Sequence, residues 1–314
     1  MIKMQKRLTS LEEGKKSFIV DCQIRNLAND TIKYYEECFA YFQDFVNEMY
    51  SKINISQDIT KTMTDNYILY MQNKVLKTTT INLRLRGIRS FLYFLMSNGY
   101  IDTFQIKLIK DDEKIPNLYT DEEIQKLIKK PNLKTCTFTE YRDWVIINFF
   151  IATGVRSRTL RNIKIKDLDF DNDLIYLTTT KGRKEIVIPM GKAIKKILLE
   201  YLQIRGGGKE DYLFCSVYGK QLTQNALNHT ISKYNKKRNV GKTGIHSFRH
   251  YFAKNYIQNG GNALKLQKLL GHSTLEQTKI YVDLFGQDLQ KDFDVFSPLD
   301  KLCANNDRIK MRAS

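Results

Sequence analysis

The chain has 314 residues, enough for two domains of which one carries a sizeable core, and its 42% hydrophobic and 27% charged side chains exclude a disordered or fibrous protein. The formal net charge is +17, with 16 basic against 11 acidic residues in 1–110 and 35 against 23 in 111–314. Both parts are therefore candidates to hold a polyanion, nucleic acid first among them.

Five scattered cysteines with no CxxC pair point away from a disulfide framework and from a zinc site. No apolar run of about 18 residues could span a bilayer, and the N-terminus does not resemble a signal peptide. A cytoplasmic protein with reduced thiols is the expectation.

In chain order, a first helix is predicted over about Glu12–Arg25. A second follows, capped by Asn29 or Asp30, with Ile32, Tyr35, Phe39, Phe42, Val46 and Met49 in steps of three and four. A third starts near Thr64-Asp65 and runs through Tyr70. A fourth covers Thr78 to Ser97 and stops at Asn98-Gly99. Its seam is Ile81, Leu85, Ile88, Leu92 and Leu95, which leaves Arg84, Arg86 and Arg89 off the seam as candidate DNA-phosphate contacts.

Residues 103–117 read as a linker between a domain at 1–110 and another at 111–314. Thr120-Asp121-Glu122-Glu123 is a capping box that opens a new helix. A buried helix over about Glu140–Ala152 ends at Thr153-Gly154. Period-two patterning at 174–177 and 185–188 predicts two strands joined by a hairpin through Thr180-Lys181-Gly182-Arg183. Helices return at about 191–204 and 223–238, the latter ending in Lys233, Lys236, Lys237 and Arg238, a basic end suited to a groove or backbone of DNA. A second capping box, Ser273-Thr274-Leu275-Glu276, starts a short helix that carries Tyr281. The tail, with Phe293, Val295, Phe296 and Leu299, is too apolar for a free coil.

The chemistry concentrates in His246–Tyr281, read as one helical segment. Arg249 offers a planar fork that matches two phosphate oxygens. His246 and His272 can give or take a proton near neutrality. Tyr281 can form a covalent bond to phosphorus if its proton is removed. His246 and His250 stand at i, i+4, but the zinc-protease pattern needs a Glu where Ser247 stands, so no metal is expected. His250 reads as a structural neighbour of Arg249. Upstream, Arg156 follows a glycine turn and Lys181 sits on the hairpin.

With TGVR (153–156), KGRKE (181–185), HSFRH (246–250), LLGH (269–272) and a tyrosine nine residues beyond that histidine, the sequence resembles the tyrosine recombinases, the family of phage and mobile-element integrases and Xer-type resolvases. The likeness extends over nearly the whole chain. It implies a mainly α protein with a small antiparallel β-sheet: an N-terminal helical SAM-like core-binding domain and an α+β catalytic domain.

The resemblance further implies that Tyr281 attacks a backbone phosphate, leaving a 3′-phosphotyrosyl enzyme and a free 5′-hydroxyl. Arg156 and Arg249 would clamp the non-bridging oxygens, His272 would add a hydrogen bond, Lys181 would protonate the leaving oxygen, and His246 would assist proton transfer at the nucleophile. No metal, ATP or other cofactor is called for. The implied partners are a double-stranded core recombination site, three further protomers joined through the C-terminal tail, and a directionality factor, with no membrane and no arm-binding domain. The expected role is integration or excision of a mobile element. Alternatives are Xer-type dimer resolution, a type IB topoisomerase-like enzyme, and a non-catalytic DNA-binding regulator. One departure stands out: the family usually has an acid three positions after the first arginine, where this chain has Thr159.

Overall fold

The computed structural model describes residues 10–50, 53, 58–110, 118–178, 185–272, 274–276, 278, 279 and 281. They fall into two compact units, Met1–Lys114 and Ile115–Ser314, so the division lies inside the stretch read as linker. The C-terminal tail, the Lys181 hairpin turn and Ser273 of the second capping box lie outside the described residues.

The first unit is built from α1 (Leu11–Ile24), α2 (Asn29–Met49), α3 (Lys61–Asn73) and α4 (Thr78–Ser97). The periodic residues of α2 and α4 face inward, with Phe39, Phe42, Leu85, Leu92 and Leu95 all buried. Phe39 meets Phe91 edge-on at 5.4 Å between centroids, and Phe42 meets Tyr67 at 5.1 Å, geometries that suit the ring quadrupoles. At Gly87 a Cβ would stand 2.5 Å from the Cys38 Sγ, so only glycine lets α4 approach α2 this closely.

Two boundaries differ from the sequence reading. Ala28 is the N-cap of α2, which puts Asn29 and Asp30 inside its first turn, where the Asp30 carboxylate suits the helix dipole. α3 begins three residues earlier than expected because the Thr60 hydroxyl accepts from the Met63 N–H.

The linker assignment is also corrected. Ile101 and Ile106 are buried in the core of the first unit, with Phe104, Leu108 and Ile109 packed on it. Asn82 holds this stretch from both sides: its Nδ2 donates to the Ile109 carbonyl at 2.8 Å and its Oδ1 accepts from the Ile109 N–H at 2.9 Å. Residues up to 110 thus belong to the first unit.

In the second unit, Thr120 and Glu123 form the expected capping box of α5 (Asp121–Ile128). α6 (Phe138–Thr153) is the central helix. It is apolar nearly all round because α5, α8 (Lys192–Arg205), α9 (Gln224–Lys237) and α10 (Ile245–Gln258) pack on it. Phe248 of α10 stacks on Tyr119 at 4.4 Å and on Phe150 of α6 at 6.0 Å, which fixes α10 against the core.

Between α7 (Ser157–Asn162) and α8 lies an antiparallel sheet in the order β1 (Leu168–Asp169), β2 (Leu174–Leu177), β3 (Ile186–Pro189). Ile175 pairs with Ile188, and both are buried. β1 has only two residues, too few for an alternating pattern to show.

The stretch read as one helical segment is broken into separate helices. α10 ends at Gln258, Gly260 takes φ +81°, and the Asn262 side chain then caps α11 (Ala263–Leu270) by accepting from the Leu264 and Lys265 N–H groups. Among the described residues no helix is long and apolar enough to cross a membrane.

Candidate active site

The site forms where the C-terminal ends of α6 and α11 meet one face of α10. α6 stops at Gly154, whose φ of +61° turns the chain so that Arg156 stands at the N-cap of α7. A Cβ there would lie 2.5 Å from Phe252 Cδ1 and 2.9 Å from Leu270 Cδ2, so the turn is wedged between α10 and α11.

Arg249, one helical turn after His246, is 3% exposed. Its Nη1 donates to the Gly154 carbonyl at 2.9 Å and its Nη2 to the Leu270 carbonyl at 2.8 Å. Arg156 Nη1 donates to the same Leu270 oxygen at 3.3 Å and to that of Gly271 at 3.4 Å. Two guanidiniums that are far apart in sequence thereby converge on the carbonyl end of one short helix.

Among the described residues neither arginine has a carboxylate partner. Thr159, at the position of the family's usual acid, is buried on α7 and supplies no charge. Burial, then the Arg156 charge, pushes the Arg249 guanidinium down to about 9, which leaves it cationic at neutral pH and short of an anion. Burial likewise lowers Arg156.

Beyond α11, the Thr278 and Lys279 N–H groups bond to the Leu275 carbonyl, and Tyr281 is helical. Tyr281 is 5% exposed and packs in a small cluster with Ala253, Ile257, Leu266 and Leu270. Its hydroxyl hydrogen-bonds His250 Nδ1 at 2.8 Å. Burial raises this phenol, while Arg249 and Arg156 work against that rise. The His272 Nδ1 meets the hydroxyl of the buried Thr278 at 2.8 Å.

Desolvation, then the His250 and Arg249 charges, lowers His246 to about 4, although the residue as a whole is exposed. Desolvation followed by Arg249 and Arg156 takes His272 to about 4. These imidazoles are neutral at pH 7 and act as hydrogen-bonding groups.

Arg156, His246, Arg249, His272 and Tyr281 are thus brought together, and Lys181 lies outside the described residues. His250, read from sequence as a neighbour of Arg249, instead touches the phenol. Its i, i+4 relation to His246 was the available signal, but spacing alone does not say which ring faces what. His246 also lines a small cavity with Val155, Ser157, Gln224 and Asn228, so the polar N-terminal face of α9 adjoins the site.

The remaining basic candidates divide in two. Lys233 and Lys236 are exposed, but Lys237 and Arg238 reach Glu140 at 2.8 and 3.3 Å, which partly neutralises them. In the first unit, Arg86 is exposed, Arg89 is half-buried, and Arg84 stacks over the Tyr41 ring at 3.4 Å.

Two uncompensated guanidiniums, three imidazoles and a phenol in one basic unit define a site built to receive an anion beside a tyrosine oxygen. A family model, the phage integrase family, matches residues 117–287. The tyrosine recombinase XerC of Thermodesulfovibrio yellowstonii is 30% identical over 247 residues, covering 74% of this chain and 81% of that protein. Among solved structures, the XerH site-specific recombinase bound to palindromic difH substrate in a post-cleavage complex matches with a TM-score of 0.70 at 21% identity, over 90% of this chain and 84% of that one. The Tn1549 transposon integrase in complex with circular intermediate DNA matches with a TM-score of 0.68 at 20% identity, over 85% and 94%. These two share the fold. The chain belongs to the phage integrase family of tyrosine recombinases, enzymes that cleave and rejoin DNA at specific sites.

Proposed function

We propose that this recombinase binds a double-stranded core site and cuts each strand with Tyr281, leaving a 3′-phosphotyrosyl enzyme and a free 5′-hydroxyl. The observation that carries the reading is the convergence of Arg156 and Arg249 on the Leu270 carbonyl, with no carboxylate partner among the described residues, beside the buried phenol. In that reading a scissile phosphate takes the place of the carbonyl, and the two forks hold its non-bridging oxygens. Charge grows on those oxygens in the transition state, where fixed cations stabilise most. His272 adds a hydrogen bond, Lys181 protonates the departing 5′-oxygen, and His246 faces the phosphate from the cavity side. The phosphotyrosyl bond retains the phosphodiester energy, so resealing needs no nucleotide or metal.

Arg84, Arg86 and Arg89 of the first unit, and Lys233 and Lys236 of α9, are the proposed backbone contacts. Lys237 and Arg238, drawn onto Glu140, contribute less. The reaction requires four protomers on two sites, joined by the C-terminal tail, in the cytoplasm, where a directionality factor can bias the outcome. The proposed role is integration or excision of a mobile element. Xer-type dimer resolution is the second reading, favoured by the XerC name of the relative.

A duplex nicked near the cleavage point traps the covalent intermediate. Wild-type protein is expected to form a denaturant-stable adduct, and Tyr281→Phe none. An equal yield from Tyr281→Phe overturns the assignment of the nucleophile, and no adduct from wild type on its own site overturns the mechanism and favours a non-cleaving DNA binder.

A further inference from the structure

We propose that His250, rather than His246, receives the proton of Tyr281 as its oxygen attacks phosphorus, an inference that rests on the reading of Tyr281 as nucleophile. The distance is direct: the phenol oxygen and His250 Nδ1 are 2.8 Å apart. His246 stands one step further away, edge-on to the His250 ring at 4.7 Å. Nor is the contact a chance meeting of surface groups. Ala253, Ile257, Leu266 and Leu270 seat the Tyr281 ring and aim its hydroxyl at α10.

The charge state of the imidazole fits the role. His250 is half-buried beside Arg249, and burial first, then that cation, keeps the ring neutral. A neutral ring with its hydrogen on Nε2 presents a lone pair at Nδ1, so the phenol donates to it. Among the described residues the groups acting with His250 are Tyr281 and His272 from beyond α11 and His246 and Arg249 from its own helix. Among the described residues no carboxylate acts on it.

The unloaded site holds the proton on the phenol, because burial raises Tyr281 while it lowers His250. A phosphate seated on Arg156 and Arg249 changes both sides of that balance. It neutralises the Arg249 charge that opposes protonation of His250, and attack on phosphorus withdraws electron density from the phenol oxygen. The transfer is thereby tied to the presence of DNA.

The step balances as follows. The O–H bond of Tyr281 breaks and its proton goes to His250 Nδ1, while the oxygen forms the O–P bond. The P–O5′ bond breaks with its electron pair on the 5′-oxygen, which takes a proton from Lys181. In rejoining, the 5′-hydroxyl returns its proton to Lys181 as its oxygen bonds to phosphorus, the P–O bond to Tyr281 breaks, and the imidazolium returns its proton to the leaving phenol oxygen. His246 is left free to face the cavity lined by Ser157, Gln224 and Asn228.

Single-turnover adduct formation on the nicked duplex, measured between about pH 6 and pH 9, tests this. His250→Asn keeps an acceptor near the Nδ1 position but cannot take the proton, and His250→Ala removes both functions. His250→Asn is expected to slow adduct formation at pH 7 by about 10²–10⁴, with a rate that climbs with pH where the wild type is level. Added imidazole is expected to accelerate His250→Ala, and a fluorinated, more acidic tyrosine at 281 to restore His250→Asn. Wild-type rate and pH profile in His250→Asn overturn the proposal. So does a slow His250→Ala that keeps the wild-type profile and ignores imidazole. Adduct formation by Tyr281→Phe would instead remove the nucleophile assignment on which the proposal rests.

Discussion

Arg142 and Arg249 are both sealed from solvent, at 2% and 3% exposure, yet they live in opposite electrostatic settings. Arg142, on the central helix, has its neighbour Asp143 at 2.7 Å and the Cys215 carbonyl at 2.9 Å. Arg249, among the described residues, has carbonyls alone as hydrogen-bond partners. Taking a guanidinium out of water costs several kcal/mol, and a paired carboxylate with added hydrogen bonds offsets that cost internally. The first cation is therefore complete within the fold. The second is held by partial charges and, on the proposed mechanism, is completed by a phosphate that arrives from outside. The difference separates a structural cation from the proposed functional one.

The comparison can be broken most sharply at Arg142. Arg142→Ala leaves Asp143 buried and unpaired, and is expected to lower stability by about 3–5 kcal/mol, read from urea unfolding. Whatever remains folded should cleave the nicked duplex at the wild-type rate. Arg249→Ala should do the reverse: adduct formation falls by roughly 10²–10³, while the DNA-free thermal midpoint moves far less than for Arg142→Ala. Equal stability losses in the two variants would erase the distinction.

The smallest expected effect concerns pH. His246, His250 and His272 are all lowered in the fold, with His246 and His272 at about 4 against an ordinary 6.5. Between those values the unfolded chain binds more protons than the native one, so stability is intact above about 6.5 and is lost as pH falls toward 4. The thermal midpoint of the DNA-free enzyme should decline through that window, and His272→Asn should flatten the decline.

Much of this was legible in the sequence where local chemistry decides structure. α4 matches its predicted bounds because a continuous apolar seam ends at a glycine, and the Thr120–Glu123 capping box is a four-residue signal. What escaped depended on distant partners. Residues 103–110 read as linker because the clamp that anchors them comes from Asn82, 27 positions before Ile109. The basic end of α9 read as fully available because Glu140, 97 positions before Lys237, is what neutralises it. The break at Gly260 was visible as Gly-Gly, but the histidine and arginine motifs on either side masked it. The partnership of His250 with Tyr281 needed the break, since only a reversal after α10 returns the phenol to that helix.

The shared Leu270 oxygen has a consequence for when the enzyme wakes. It is covalently part of the protein, so the two guanidinium forks meet it at an effective concentration that dissolved chloride or buffer anions do not match. On the proposed mechanism, simple salts would fail to displace this resident stand-in. A diester within a duplex would succeed, because it carries a full negative charge and comes already moored by many other backbone contacts. The proposed cleavage centre would thus stay idle in ordinary salt and be switched on by an anion that brings its own anchorage.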